Sequence, residues 1–254
     1  MAKEAKNPIQ SDLMLLDLLE GLRELDGAQL TELAEHVGTT KSTAHNHLST
    51  LRQRGYVVKL EDEYHLGYRF LEIGEETRYR TPLYEFARPE LESLAEEVEG
   101  LVNLCSEENG EAVYLYRKQG DPNIRFSTKA GDRTHLHCVG VGKAILAQLS
   151  RDRVMEIVER HGLLKRTEQT ITDPDELCAE LEEIRDAGVA FDDEEYGNGL
   201  RCVAAPVMGP NERVLGAISV SGPSSRLQGE YYRDELPELV KKAANIIELN
   251  IKQY

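Results

Sequence analysis

Side chains able to do recognition chemistry fall in two regions of the chain. The first is KSTAHNHLSTLRQRGY, Lys41 to Tyr56, where Ala44, Leu48 and Leu51 recur at helical spacing. That leaves Lys41, Ser42, Thr43, His45, Asn46 and Ser49 on the other face. Ammonium, hydroxyl, imidazole and amide groups on the N-terminal half of a helix can hydrogen-bond to base edges in a DNA major groove. The second region is a set of short motifs. Gly140-Val141-Gly142 precedes a predicted helix, Gly142 to Leu149, whose first N–H groups can hold an anion; a glycine turn packed on a strand is the alternative. Ser219 and Ser221, two apart on a strand, point to one face opposite Ile218 and Val220, either into a pocket or to solvent at a sheet edge. Leu200, Cys202 and Ala204 likewise share a face, and Asp192 can accept a hydrogen bond from a ligand hydroxyl.

Two other groupings invite catalytic or metal readings. His135-Leu136-His137-Cys138 holds soft ligands, but a strand splits these side chains between its faces. Cys202 as a redox nucleophile needs an activating cation or a resolving thiol; Arg201 points the other way and no second cysteine lies nearby in sequence. No catalytic residue, metal or cofactor is therefore expected.

The elements that position these residues follow from periodicity. Leu15, Leu18, Leu19, Leu22 and Leu25 define a first helix, Ser11 to Leu25, with Ser11 as its cap. Leu30 to Val37 forms a second, Gly38 turns the chain, and Thr40 caps the third. Tyr56 to Leu60 and Tyr64 to Leu66 then flank Glu61-Asp62-Glu63 as a hairpin, which completes a winged helix-turn-helix. Tyr68 to Tyr79 is a connecting helix broken at Thr81-Pro82, and Leu83 to Val98 a further helix. Strands follow at Leu101 to Ser106, Ala112 to Arg117 and Ile124 to Thr128, the first two joined by Asn109-Gly110. Helices at Arg151 to Arg160 and from Asp173-Pro174 to Ala187 precede strands at Val189 to Asp192, Leu200 to Met208 and Val214 to Ser221. A helix from about Glu230 closes the chain. Helices and antiparallel strands segregated in this order imply an α+β fold.

The 254 residues carry a formal charge of -16, of which residues 1–70 hold only -3. Arginine outnumbers lysine 19 to 11 and tryptophan is absent, a composition suited to a halophilic cytoplasm in which a carboxylate surface keeps protein hydrated. In concentrated salt, counterion release contributes little, and DNA binding must rely on base-edge hydrogen bonds and shape. The acidic wing tip, Asp62 and Glu63, fits that condition. It equally keeps open a protein-interaction adaptor that has lost DNA binding. No apolar run is long enough for a membrane span or signal peptide, and four dispersed cysteines without a C-x-x-C pair suit neither a zinc ribbon nor a disulfide scaffold. A cytoplasmic protein is expected.

LTELAEHVGTTKSTAHNHLSTLRQRGYV (Leu30 to Val57), YHLG (Tyr64 to Gly67), LHCVGVGKAILA (Leu136 to Ala147), GVAFDDEEYGNGLRCVAAPV (Gly188 to Val207) and GAISVSGPSSRL (Gly216 to Leu227) together resemble the isocitrate lyase regulator (IclR) family of transcription factors, over nearly the whole chain. The resemblance implies a winged helix-turn-helix DNA-binding domain over 1–67, a linker helix over 68–82 and a GAF-like antiparallel effector-binding domain over 83–254. It also implies a homodimer or dimer of dimers on a palindromic operator of double-stranded DNA. A small-molecule effector would be lined by Gly140, Val141, Asp192, Cys202, Ser219 and Ser221, with Leu200 and Phe126 as apolar wall. Asn46 and His47 depart from the Arg and Leu usual in the family, which alters base preference and packing; His45 keeps the family identity. Family habit points to control of carbon-source catabolism, with sugars favoured.

Overall fold

The computed structural model describes residues 6–120 and 129–254, which form two compact units meeting at Arg80/Thr81. In the first, α1 (Gln10–Glu24), β1 (Ala28–Gln29), α2 (Leu30–Val37), α3 (Lys41–Gln53), β2 (Val57–Leu60), β3 (Glu63–Leu66) and α4 (Arg69–Arg78) make a winged helix-turn-helix. Its sheet runs β1-β3-β2. Leu18, Leu22, Leu33, Ala44, Leu48 and Leu51 meet Val57 and Tyr64 in one small core. Gly38 takes the left-handed conformation (φ 74°) that a tight turn between α2 and α3 needs. Thr40 caps α3, its Oγ1 accepting from the Thr43 N–H at 3.1 Å.

The start of α1 corrects the sequence expectation. Ser11 lies inside the helix, because the Ile9 carbonyl already accepts from the Asp12 and Leu13 N–H groups and no side chain caps the end. The hairpin turn is also tighter than expected: Glu63 pairs with Leu60, so Glu61, with φ 54°, and Asp62 alone form the tip.

The second unit is built on one antiparallel sheet. α5 (Pro82–Glu97) leads into β4 (Leu101–Glu108) and β5 (Glu111–Gln119), joined at Asn109-Gly110, where both residues take positive φ as a type I′ turn requires. β6 (Arg133–His135), α6 (Gly140–Leu146), α7 (Arg151–His161) and α8 (Pro174–Ala187) follow. β7 (Ala190–Asp193), β8 (Leu200–Met208), β9 (Val214–Pro223) and α9 (Leu236–Gln253) complete it. The strand order is β6-β5-β4-β9-β8-β7. Both faces are covered. Val102, Leu104, Val203, Ala205, Ile218 and Val220 pack with α5 and α9, while Cys105, Cys202, Ala204 and Ala217 face a second core with α6, α7 and α8.

The helix after Gly140-Val141-Gly142 also begins earlier than its sequence suggests, since α6 takes in all three residues and ends at Leu146. The cause is a close approach: a Cβ on Gly142 would lie 2.0 Å from the Leu136 carbonyl oxygen, so only glycine lets this turn sit on that backbone. The strand expected over 124–128, with Phe126, lies outside the described residues.

Candidate effector site and nucleic-acid interface

On α3, Lys41, Ser42, His45, Asn46 and Ser49 are exposed, and Ser42, Asn46 and Ser49 share a stripe at helical spacing. Thr43 is half-buried, and its Oγ1 is held 2.9 Å from Thr40 Oγ1, so its hydroxyl serves the cap. His47 is half-buried beside Leu48, as a structural residue would be. Sequence reading missed the cleft between the end of α3 and β2, lined by Ser49, Arg52, Gln53, Val58 and Lys59, which gathers two cations able to meet phosphate. Its formation depends on the β2 register, which no local pattern reveals.

In the second unit, strand pairing brings the predicted effector residues together on the α6 face. Asp192 pairs with Cys202, Cys202 with Ser221, and Ser219 with both Ala204 and Asn103. A Cβ on Gly140 would lie 3.0 Å from Cys202 Sγ, so the first turn of α6 rests directly on this row. Val141 is buried in the same core as Cys202 and Ala204. Leu200 pairs with Pro223 at the strand end, half-buried. Ser219 is 1% exposed and therefore faces no solvent edge.

Two further residues belong to the site. Asn103 is buried at the sheet centre, and its Nδ2 donates to Leu101 O (3.1 Å), Ser219 Oγ (3.1 Å) and Ser221 Oγ (3.2 Å). Its Oδ1 accepts from Arg117 Nε at 2.8 Å. An amide at the third position of the otherwise apolar run LVNLC was the available signal.

Burial pushes the Asp192 carboxyl up to about 6, against the lowering effect of N–H donors from Tyr196 and Glu195. Its Oδ1 takes both bonds. Burial also pushes the Cys202 thiol up to about 12, with the neighbouring Asp192 adding to the shift. Such a thiol stays protonated at neutral pH and is a poor nucleophile. His137 Nε2 lies 3.2 Å from Leu164 O, and Cys138 Sγ donates to His135 O. Among the described residues no group of His, Cys, Asp or Glu is arranged to hold a metal ion.

The family profile for the IclR helix-turn-helix domain matches residues 15–61, and that for the bacterial transcriptional regulator IclR C-terminal domain matches residues 77–249. The chain belongs to the IclR family. IclR-family proteins are DNA-binding transcriptional regulators, and this chain is one, rather than an enzyme. It is 34% identical over 248 residues to the probable HTH-type transcriptional regulator ArcR of Halobacterium salinarum, covering 96% of this chain and 94% of that one. It is also 34% identical to the acetate operon repressor of Salmonella typhimurium, covering 95% and 89%. A putative transcriptional regulator from Rhodococcus sp. RHA1 shares the fold at a TM-score of 0.85 and 27% identity, over 96% of this chain and 98% of that one. An IclR homologue from Microbacterium hydrocarbonoxydans, crystallised with 4-hydroxybenzoate, shares the fold at a TM-score of 0.80 and 21% identity, over 94% and 100%. Among the described residues no helix of this IclR-family chain is long and apolar enough to cross a membrane.

Proposed function

We propose that this regulator is cytoplasmic and binds a palindromic operator as a homodimer or dimer of dimers, its affinity set by a small hydroxylated or keto acid. In this reading residues 1–67 bind DNA, 68–82 link, and 83–254 bind the effector. Lys41, Ser42, His45, Asn46 and Ser49 meet the major groove, Thr43 holds the helix start, and Arg52 and Lys59 meet phosphate. Gly140, Val141, Asp192, Leu200, Cys202, Ser219 and Ser221 line the effector site. The observation that carries the reading is the polar row from the buried Asp192 and Cys202 through the half-buried Ser221 to the buried Asn103. Most of these groups are hydrogen-bonded within the chain, but Asp192 Oδ2 makes no hydrogen bond among the described residues, and a ligand hydroxyl that pairs with it would add stability.

Dimerisation is supported by α4, which buries none of its residues in its own chain and leaves Leu71 and Ile73 exposed, with Tyr68 and Tyr79 exposed at its two ends. Control would be by population shift: the effector favours one of two arrangements of the paired recognition helices by as much as it binds that arrangement better. The acidic composition and the likeness to a Halobacterium regulator support a halophilic host. The likeness to an acetate operon repressor supports a carbon-source operon as target, and within that class we favour sugar-derived acids as effectors.

The test is occupancy of the tagged protein across the host genome, with and without single carbon sources. Peaks upstream of one catabolic operon that change with its substrate are expected. Absence of reproducible peaks in every condition would refute the reading and favour an adaptor, to which the acidic wing tip of Glu61 and Asp62 would then belong.

A further inference from the structure

The guanidinium of Arg117 is oriented and left incomplete. Its Cζ lies 3.8 Å from the centroid of the Tyr114 ring and its Nε donates to Asn103, yet Nη1 is buried without a hydrogen-bond partner. No ion pair reaches it among the described residues, although the chain carries 46 acidic residues against 30 basic ones. A buried charged donor left unpaired is costly, and a carboxylate is the group that best satisfies a guanidinium.

The neighbours present further donors. Ser219 Oγ and Ser221 Oγ lie 3.1 Å and 3.2 Å from Asn103 Nδ2, and both hydroxyls hydrogen-bond the Cys202 thiol, a weak acceptor from which a ligand carboxylate would take them over. At this end of the row stand a cation and two hydroxyl donors; at the other stands Asp192, whose Oδ2 makes no hydrogen bond among the described residues. Donors at one end and an acceptor at the other match a hydroxy acid in one orientation.

We propose that Arg117, held on Tyr114 by Asn103, is the residue that reads the effector's carboxylate, so that the ligand class is a hydroxy monocarboxylic acid with its acid end over Asn103 and its hydroxyl toward Asp192. The proposal rests on the effector-site reading above and adds to it the polarity of the ligand and the residue that selects for charge.

The test is calorimetric titration of the full-length protein at constant ionic strength with D-gluconate, D-glycerate and L-lactate, each beside its neutral amide. Wild-type protein binds at least one acid about tenfold or more tightly than its amide, the scale of a charge-assisted bidentate contact. Arg117→Met brings that ratio near one, and Arg117→Lys, which keeps the charge, recovers part of it. A ratio unchanged in Arg117→Met, or no preference for any acid in wild-type protein, overturns the proposal. A purely packing role for Arg117 would lower thermal stability and leave the ratio alone. The double variant Ser219→Ala/Ser221→Ala separates the two levels. Undiminished binding in it overturns the effector site itself, whereas binding lost in it with the ratio kept in Arg117→Met overturns only the role of Arg117.

Discussion

Replacing Lys143 with alanine is expected to destabilise the effector unit by about 3–5 kcal/mol, the usual consequence of removing one partner from a buried ion pair. Lys143 is 0% exposed on α6, yet its Nζ bonds Glu180 on α8 and Glu195, 2.5 Å away, in the loop after β7. Burial alone would lower the lysine, but the two carboxylates outweigh it and hold the ammonium above its ordinary range. Burial pushes Glu195 up to about 7 even with Lys143 beside it, and its Oε2 has no hydrogen-bond partner.

The sign of the pH dependence follows. Because the folded carboxyl of Glu195 holds its proton more tightly than the unfolded one, its contribution to stability is complete below about pH 4.5 and is lost as pH rises through about 7. Urea unfolding at pH 5 and pH 8 should therefore show a smaller loss on raising the pH in Glu195→Gln than in wild-type protein. Lys143→Met combined with Glu195→Gln should recover most of the stability that Lys143→Ala loses. Equal stability of Lys143→Ala and wild-type protein at pH 8 would remove this account of the cluster.

Leu48→Ala is expected to cost about 2–5 kcal/mol in the winged helix, the range for deleting a fully buried leucine. Leu48 is 0% exposed and packs with Leu18, Leu22 and Leu33, in a core of few residues. A domain this small retains little reserve. Operator binding should be lost at growth temperature while the unfolding transition of the effector unit keeps its midpoint. Full operator affinity in Leu48→Ala would mean that α3 is held by something other than this core.

Local chemistry explains which parts of the molecule were legible. Asp173-Pro174 and Gly188 set both ends of α8, with Asp173 Oδ1 accepting from the Asp175 and Glu176 N–H groups and Gly188 left-handed at φ 70°. Thr40, Gly38 and the Asn109-Gly110 turn were readable for the same reason, since each acts within a few residues. The two-residue strand β1 has no period of its own and exists through its pairing with Glu63 and Tyr64. Nothing local marks Lys143 as buried, because its burial depends on partners 37 and 52 residues further on. The effector row was half legible. Ser219 and Ser221 share a face by strand geometry alone, whereas Asn103 and Arg117 join them through the β4–β9 and β4–β5 registers.

The most direct test of the central claim, that the exposed face of α3 reads an operator sequence, is the affinity of purified protein for its occupied operator and for scrambled DNA in concentrated potassium chloride, with Asn46→Ala alongside. The account predicts that a preference for the operator survives the salt. Asn46→Ala should weaken operator binding by about 1–3 kcal/mol, the worth of a good bidentate base contact, and leave binding to scrambled DNA unchanged. Equal affinity of wild-type protein for both DNAs, or an Asn46→Ala variant that matches wild type on the operator, would contradict it.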